Sequence, residues 1–285
     1  PEEIDNIIYA GVNLYDSDLL AFYDFNEGDG SVALDQSFNG INGAIAGSPI
    51  WSSEHQYVGC TEASAINYTS GANYDDGSCI LPDIIVPDDY VNIQDALNSA
   101  SEGNTVLVSA GTYYENINFN GKNIALIGED REATIIDGNQ NGSVVTFNSG
   151  ESTIALLSEF TIKNGLSQFG GGISISSSSP TLTNLIISEN SAEWGGGIRC
   201  ENSDTQFSNI IVDNNTASWN AGGVYITGNG DIEIHNFTIS NNAAVNDGGG
   251  MLVGNSILLS ISNTLIVNNT SWAGAGIECG AASPT

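Results

Sequence analysis

Positive charge is almost missing from this chain. Its 285 residues carry 4 Lys and Arg against 34 Asp and Glu, a formal net charge of −30. No basic stripe can form from so few cations, which excludes the electrostatic footprint of a nucleic-acid binder. Attraction to an anionic membrane surface is excluded for the same reason. Long apolar runs are also lacking: none approaches the roughly 20 residues that a membrane-spanning helix needs. Histidine is scarce, and the 2 present, His55 and His235, have no partner at metal-ligand spacing. Strong acidity suits a saline or calcium-rich exterior, where counterions screen self-repulsion; the plainer alternative is that it keeps a strand-rich chain soluble.

What the chain has in quantity is repetition. Gly172, Gly197, Gly223, Gly250 and Gly276 stand 25, 26, 27 and 26 residues apart, each followed by Ile, Val or Met. A fixed period of this size marks a stacked-repeat architecture. The repeats are rich in Ile, Val, Thr, Ser, Asn and Gly, which favour strands and turns over helices. Each coil must therefore pair its backbone with the coils on either side, about 4.8 Å away, because no single coil can bury its own apolar face. Leu185, Ile210, Phe237 and Thr264 align at one position, and Ile187, Val212, Ile239 and Ile266 two residues on; alternation puts both files inside. Phe160 and Ile162 fit the same frame one coil earlier.

A further file holds Asn190, Asn215, Asn242 and Asn269, with Gly165 in the corresponding place. Gly and Asn share a tolerance of positive φ, so we read this as a left-handed turn position. The alternative is an internal ladder of stacked amides. Ile186, Ile211 and Leu265 point outward between inward neighbours, with Thr161 and Thr238 in their row; this stripe is either a partner face or ordinary β-branched surface.

These residues resemble the right-handed parallel β-helix of the pectin-lyase-like superfamily, over roughly residues 84–285. The phrases Gly170-Gly171-Gly172-Ile173 and Asn190-Ser191-Ala192 are similar to the repeats of polymorphic outer-membrane adhesins. The resemblance implies an all-β solenoid; a fold of this kind hosts many activities, so function must come from a site. Before the repeats, Ile93, Ala96, Leu97 and Ala100 share one helical face, which predicts a helix within Tyr90–Glu102, stopped by Gly103, capping the open end of the core. Asn104-Thr105-Val106-Leu107-Val108 and the following Gly111-Thr112-Tyr113 resemble the first coil of pectinesterases.

Two pieces precede the solenoid. Within residues 1–52, Ile4–Tyr9 reads as a short alternating strand, similar to the closing strand of a laminin-G-like (concanavalin-type) jelly roll. Leu20–Phe25 and Asp35–Gly43 resemble the opening strands of such a domain. Neither covers enough of a domain to carry over a sugar or calcium site. Within residues 53–83, Gly59-Cys60-Thr61 and Asp75-Asp76-Gly77-Ser78-Cys79 resemble a small spacer module of large secreted bacterial proteins. That resemblance implies a Cys60–Cys79 disulfide stapling a segment with almost no core of its own. Asp75 and Asp76 beside a glycine turn offer oxygen ligands to calcium, or are a solvated acidic turn. Cys200 and Cys279 lie at inward positions three coils apart, on the order of 14 Å. A disulfide requires Cα atoms within about 7 Å, so both are expected to be buried free thiols.

The lyase, polygalacturonase and pectinesterase signatures that the fold resemblance brings to mind do not occur after Gly138, and we expect no catalytic residue, although an enzyme remains the alternative. A lyase-like arrangement would pair Arg199 with Glu189, Glu201 or Asp213. Phe169, Trp194, Trp219 and Trp272 recur four or five residues before each coil's Ile or Val, interrupted by Asn246. Stacked coils line these rings along one edge, either as flat faces for sugar rings or folded back to shield the turn. Both ends of the chain read as cut, since Ser283-Pro284-Thr285 repeats the Ser179-Pro180-Thr181 phrase. The expectation is therefore a piece of a modular secreted or cell-surface protein. Its partners would be extracellular polysaccharide or a cell-surface glycan, and other domains of the same longer chain. The alternatives are a polysaccharide lyase or hydrolase acting on acidic polysaccharide, and a structural spacer.

Overall fold

The structure, a computed structural model, describes residues 19–21, 23, 32–37, 39–44, 46, 57–254 and 257–280. The strand expected at Ile4–Tyr9 and the Glu-Gly-Asp-Gly turn at 27–30 lie outside these residues. Contacts divide the chain into two compact units, Pro1–Thr61 with Thr69–Ser78, and Glu62–Tyr68 with Cys79–Thr285. In the first, Val32–Ala33 pairs antiparallel with Gly43–Ala44 and Val58–Gly59 pairs parallel with Tyr74–Asp75. Cys60 and Cys79 form the disulfide.

The second unit is a right-handed parallel β-helix. Three parallel sheets, of 12, 7 and 4 strands, run along it. One coil shows the plan. Thr181–Ser188 lies in the first sheet, Ser191–Trp194 in the 4-stranded sheet and Ile198–Glu201 in the 7-stranded sheet. Three bends within this coil use residues at positive φ: Asn184 (51°) inside the long strand, Glu189 (57°) after it and Gly195 (70°) before the last strand. Short polar side chains and glycine tolerate this region because they avoid the Cβ clash or offset it by local hydrogen bonds.

The central column is in register. Val145 pairs with Ile173, Ile173 with Ile198, Ile198 with Val224, Val224 with Met251, and Met251 with Ile277. Ile173, Ile198, Val224 and Met251 are all at most 1% exposed. Each such side chain stabilises the stack by about 1.5–3 kcal/mol relative to leaving it in water. The glycines before the column are there because of space. A Cβ on Gly172 would sit 2.7 Å from the Gly197 carbonyl oxygen and 2.8 Å from the Asn190 amide nitrogen.

That amide belongs to a ladder, which corrects the turn reading of Asn190, Asn215, Asn242 and Asn269. The left-handed bend is taken by the preceding residue: Asn164, Glu189, Asn214, Asn241 and Asn268 have φ between 54° and 57°. The next side chain then turns inward. Nδ2 of Asn190 donates to Oδ1 of Asn215 at 3.0 Å, Asn215 to Asn242 at 3.0 Å, and Asn242 to Asn269 at 3.0 Å. Each Oδ1 also accepts the backbone N–H of the asparagine in the preceding coil, at 2.9–3.0 Å. Each Nδ2 donates as well to an Ile or Val carbonyl, as Asn215 does to Ile187 at 2.8 Å. Gly165 does not break this file; it begins it, its N–H donating to Oδ1 of Asn190 at 2.8 Å.

The capping helix is shorter than its pattern, Ile93–Ser99, with Ile93, Ala96 and Leu97 buried. Both of its ends are held from the first coils. The Glu115 carboxylate accepts the N–H groups of Ile93 and Gln94 at 2.8 and 2.9 Å. Lys122 Nζ donates to the carbonyls of Leu97, Asn98 and Ala100 at 2.9, 2.6 and 2.8 Å. These groups are the ones a helix leaves unpaired at its termini. Cys200 is buried as expected, but Cys279 is exposed. It lies in Ile277–Cys279, the last described strand, which pairs on one side only among the described residues.

Candidate functional site

The four rings lie at the end of the 4-stranded sheet, where the chain turns toward the 7-stranded sheet. They form two adjacent files. Phe169 pairs with Trp194, and Trp194 with Asn220 across a register shift. Asn220 is followed in its file by Asp247 and then Ala273. The second file holds the residues just before these: Gln168, Glu193, Trp219, Asn246 and Trp272, with Gln168 Nε2 donating to Glu193 Oε2 at 3.2 Å. The cause is local. Thr216–Asn220 has 5 residues where Ser191–Trp194 has 4, so the ring of the next coil shifts by one position. The spacing of four residues in one pair of coils and five in the others was the trace of this shift in the sequence.

The second file faces outward: Trp219 is 50% exposed and Trp272 86%. Phe169 is 38% exposed, and Trp194 is half-buried. Trp194 packs on Trp219 with centroids 6.2 Å apart and on Tyr225 at 5.7 Å. Shielding of the turn thus describes Trp194 alone, while Trp219 and Trp272 are exposed to solvent. Exposed aromatic faces gathered on one edge are the feature of a soluble protein that calls for an explanation.

Arg199 supports this edge. Its guanidinium carbon lies 4.4 Å from the Phe169 ring centroid, and its Nη2 is 2.8 Å from Glu201, two residues along the same strand. Its side chain is 12% exposed. Of the three carboxylates that a lyase-like arrangement offered, the bridge is to Glu201. With its charge balanced and its guanidinium over the ring, Arg199 holds Phe169 in place. Among the described residues, two buried side-chain donors have no partner, Arg199 Nε and Asn246 Nδ2, and both belong to this edge. Sequence reasoning did not find Asn246, because it appeared only as the interruption in a row of rings.

Carboxylates gather elsewhere, in a shallow cleft lined by Thr153, Asp204, Gln206, Asp231 and Glu233. Asp204 Oδ1 there accepts the Asp231 N–H at 2.9 Å, a structural role. Among the described residues, no group of three or more His, Cys, Asp and Glu converges as metal ligands would. Asp75 and Asp76 are exposed, and each turns a carboxylate oxygen back to its own turn. Oδ1 of Asp75 accepts the Gly77 N–H at 3.0 Å and Oδ1 of Asp76 the Ser78 N–H at 2.9 Å. Hydrogen bonding from Ser78 holds the Asp76 carboxyl below its ordinary range. His235 is exposed, its Nδ1 2.9 Å from the Ser262 hydroxyl. No helix among the described residues is long and apolar enough to cross a membrane.

Fold and edge together define a parallel β-helix with a ring-lined, acidic margin. Residues 145–285 match the family model described as the right handed beta helix region. No curated protein matches the chain. Among solved structures, a pectin methylesterase variant in complex with hexasaccharide IV shares 12% identity at a TM-score of 0.39, covering 63% of this chain and 66% of its own. A pectin methylesterase bound to hexasaccharide VII shares 11% identity at a TM-score of 0.34, covering 62% of this chain and 80% of its own.

Proposed function

We propose that this protein binds extracellular polysaccharide through the edge formed by Phe169, Trp194, Trp219 and Trp272, serving adhesion at a surface or in a matrix. The observation that carries this reading is the outward exposure of the second file, 50% at Trp219 and 86% at Trp272. Burying a large ring stabilises a fold, so a stack that leaves such rings in water forgoes that gain. A sugar ring offers them an apolar face of matching size. The Cys60–Cys79 disulfide supports an oxidising compartment outside the cytosol.

The test is retardation of the protein in native gels cast with soluble polysaccharides, alongside an assay for newly released reducing ends. A binder is retarded by at least one polysaccharide without releasing product, and Trp219→Ala with Trp272→Ala restores free migration. Release of reducing ends or unsaturated products would move the reading to a lyase or hydrolase. Unchanged migration in every gel would overturn it.

A further inference from the structure

From Glu193 onward the outward file alternates hydrogen-bonding groups with rings: Glu193, Trp219, Asn246, Trp272. Each coil contributes one member, so successive members step by about 4.8 Å along the solenoid axis, and the two tryptophans stand about 10 Å apart. An extended β-1,4-linked polysaccharide advances by a similar step per sugar. Because alternate sugars are flipped, the same face returns once per disaccharide. A ring on every second coil therefore meets the same sugar face each time.

Asn246 falls between the two rings, and its Nδ2 has no partner. Turning that amide toward a sugar hydroxyl gives up no existing hydrogen bond, and an unpaired buried donor is costly to keep. Electrostatics narrows the sugar further. Glu193 continues the file, and Asp247 stands beside Asn246. The cation of this edge, Arg199, is committed to Glu201 at 2.8 Å. Carboxylates accept hydrogen bonds from sugar hydroxyls well, and they repel a uronate brought within about 8 Å at physiological ionic strength.

Resting on the polysaccharide-binding reading, we infer that the ligand is a neutral, ribbon-like β-1,4-linked polysaccharide lying along the solenoid axis. Trp219 and Trp272 stack on every second sugar, and Asn246 hydrogen-bonds the sugar between them.

Calorimetric titration of the full chain with a length series of cello-oligosaccharides tests this, with malto-oligosaccharides and oligogalacturonides as comparators. A disaccharide reaches one tryptophan and a trisaccharide reaches both, so affinity rises by about tenfold between them and by less thereafter. Trp272→Ala removes that step while leaving disaccharide binding in place, and Asn246→Ala weakens the trisaccharide selectively. Malto-oligosaccharides, which coil, and oligogalacturonides, which are charged, bind more weakly than cello-oligosaccharides of equal length. Because Trp272 is 86% exposed, its replacement leaves the fold intact, which circular dichroism checks. A smooth rise with length that Trp272→Ala does not alter, or equal binding of the coiled or charged series, overturns the inference even if ring-dependent binding remains. Absence of binding to any polysaccharide overturns both this inference and the broader reading.

Discussion

Two files on the same coils, both recurring once per coil, differ in almost everything else. The inner one repeats without variation from Asn190 to Asn269, its Asn190, Asn215 and Asn242 each at most 1% exposed. The outer one reads Glu193, Trp219, Asn246, Trp272. Inside the stack, each asparagine must answer the one before it and the one after, so no member can change alone. Outside, no member is bound to its neighbours by such a ladder, and each is free to differ. Uniformity in a solenoid therefore reports burial, and variety along an outward file is where a binding preference can be written.

The inner file gives the largest effect that can break this contrast. Asn215→Ala removes the acceptor of the Asn190 N–H, the bond to the Ile187 carbonyl and one bond to each neighbouring amide. We expect a loss of about 3 kcal/mol or more in urea unfolding; a loss below 1 kcal/mol would mean the ladder is ornamental.

Glu151 offers a second inner network, near-fully buried at 1% exposure. Burial pushes its carboxyl upward, but hydrogen bonds from Ser178, Ser149 and Gly121 outweigh this and hold it below its ordinary value of 4.5. A carboxyl lowered by folding stabilises the fold above that value, and the contribution fades as pH falls through the native-state value. Glu151→Gln should cost about 1–2 kcal/mol at neutral pH and flatten the acid limb of the stability profile.

The thiols sharpen the same contrast. Burial raises Cys200 from 9.0 to about 11, while Cys279 is exposed. Iodoacetamide at mildly alkaline pH should modify Cys279 readily and Cys200 only on unfolding, as read by mass spectrometry. Because folding raises this thiol's value, its linkage is neutral below 9.0, and stability declines as pH climbs from there toward about 11. Replacing Cys200 by Ala should remove that alkaline component of the decline.

The smallest effect on stability belongs to the outer file. Trp272→Ala should shift the unfolding midpoint by no more than about 0.5 kcal/mol while weakening retardation by polysaccharide. Large destabilisation there would make the edge a structural feature rather than a binding surface.

The inward alternation of Leu185 and Ile187, the glycine period and the capping helix were all legible in the sequence, because each depends on neighbours along the chain. The asparagine file was misassigned because two consecutive positions carry residues that tolerate positive φ. Gly165 tipped the reading toward the second of them, though that glycine is there for space, a Cβ falling 1.8 Å from the Gly171 carbonyl oxygen, and gives the ladder its N–H. The clamp of Lys122 on the helix lay beyond local pattern, spanning 25 residues to Leu97. The division of the rings into two files needed the strand pairing itself. Its one linear clue, the extra residue in Thr216–Asn220, looked like noise in the period.

The close contacts at Gly172 have a consequence for descent. A duplication or loss of one whole repeat leaves every surviving contact with an equivalent neighbour, so such events are tolerated wherever the gene breaks within the period. An insertion of a few codons beside the glycines instead displaces glycine, asparagine and isoleucine columns together. Lineages carrying this architecture should therefore differ in length by multiples of a rung, while the outward residues drift and adapt from one rung to the next.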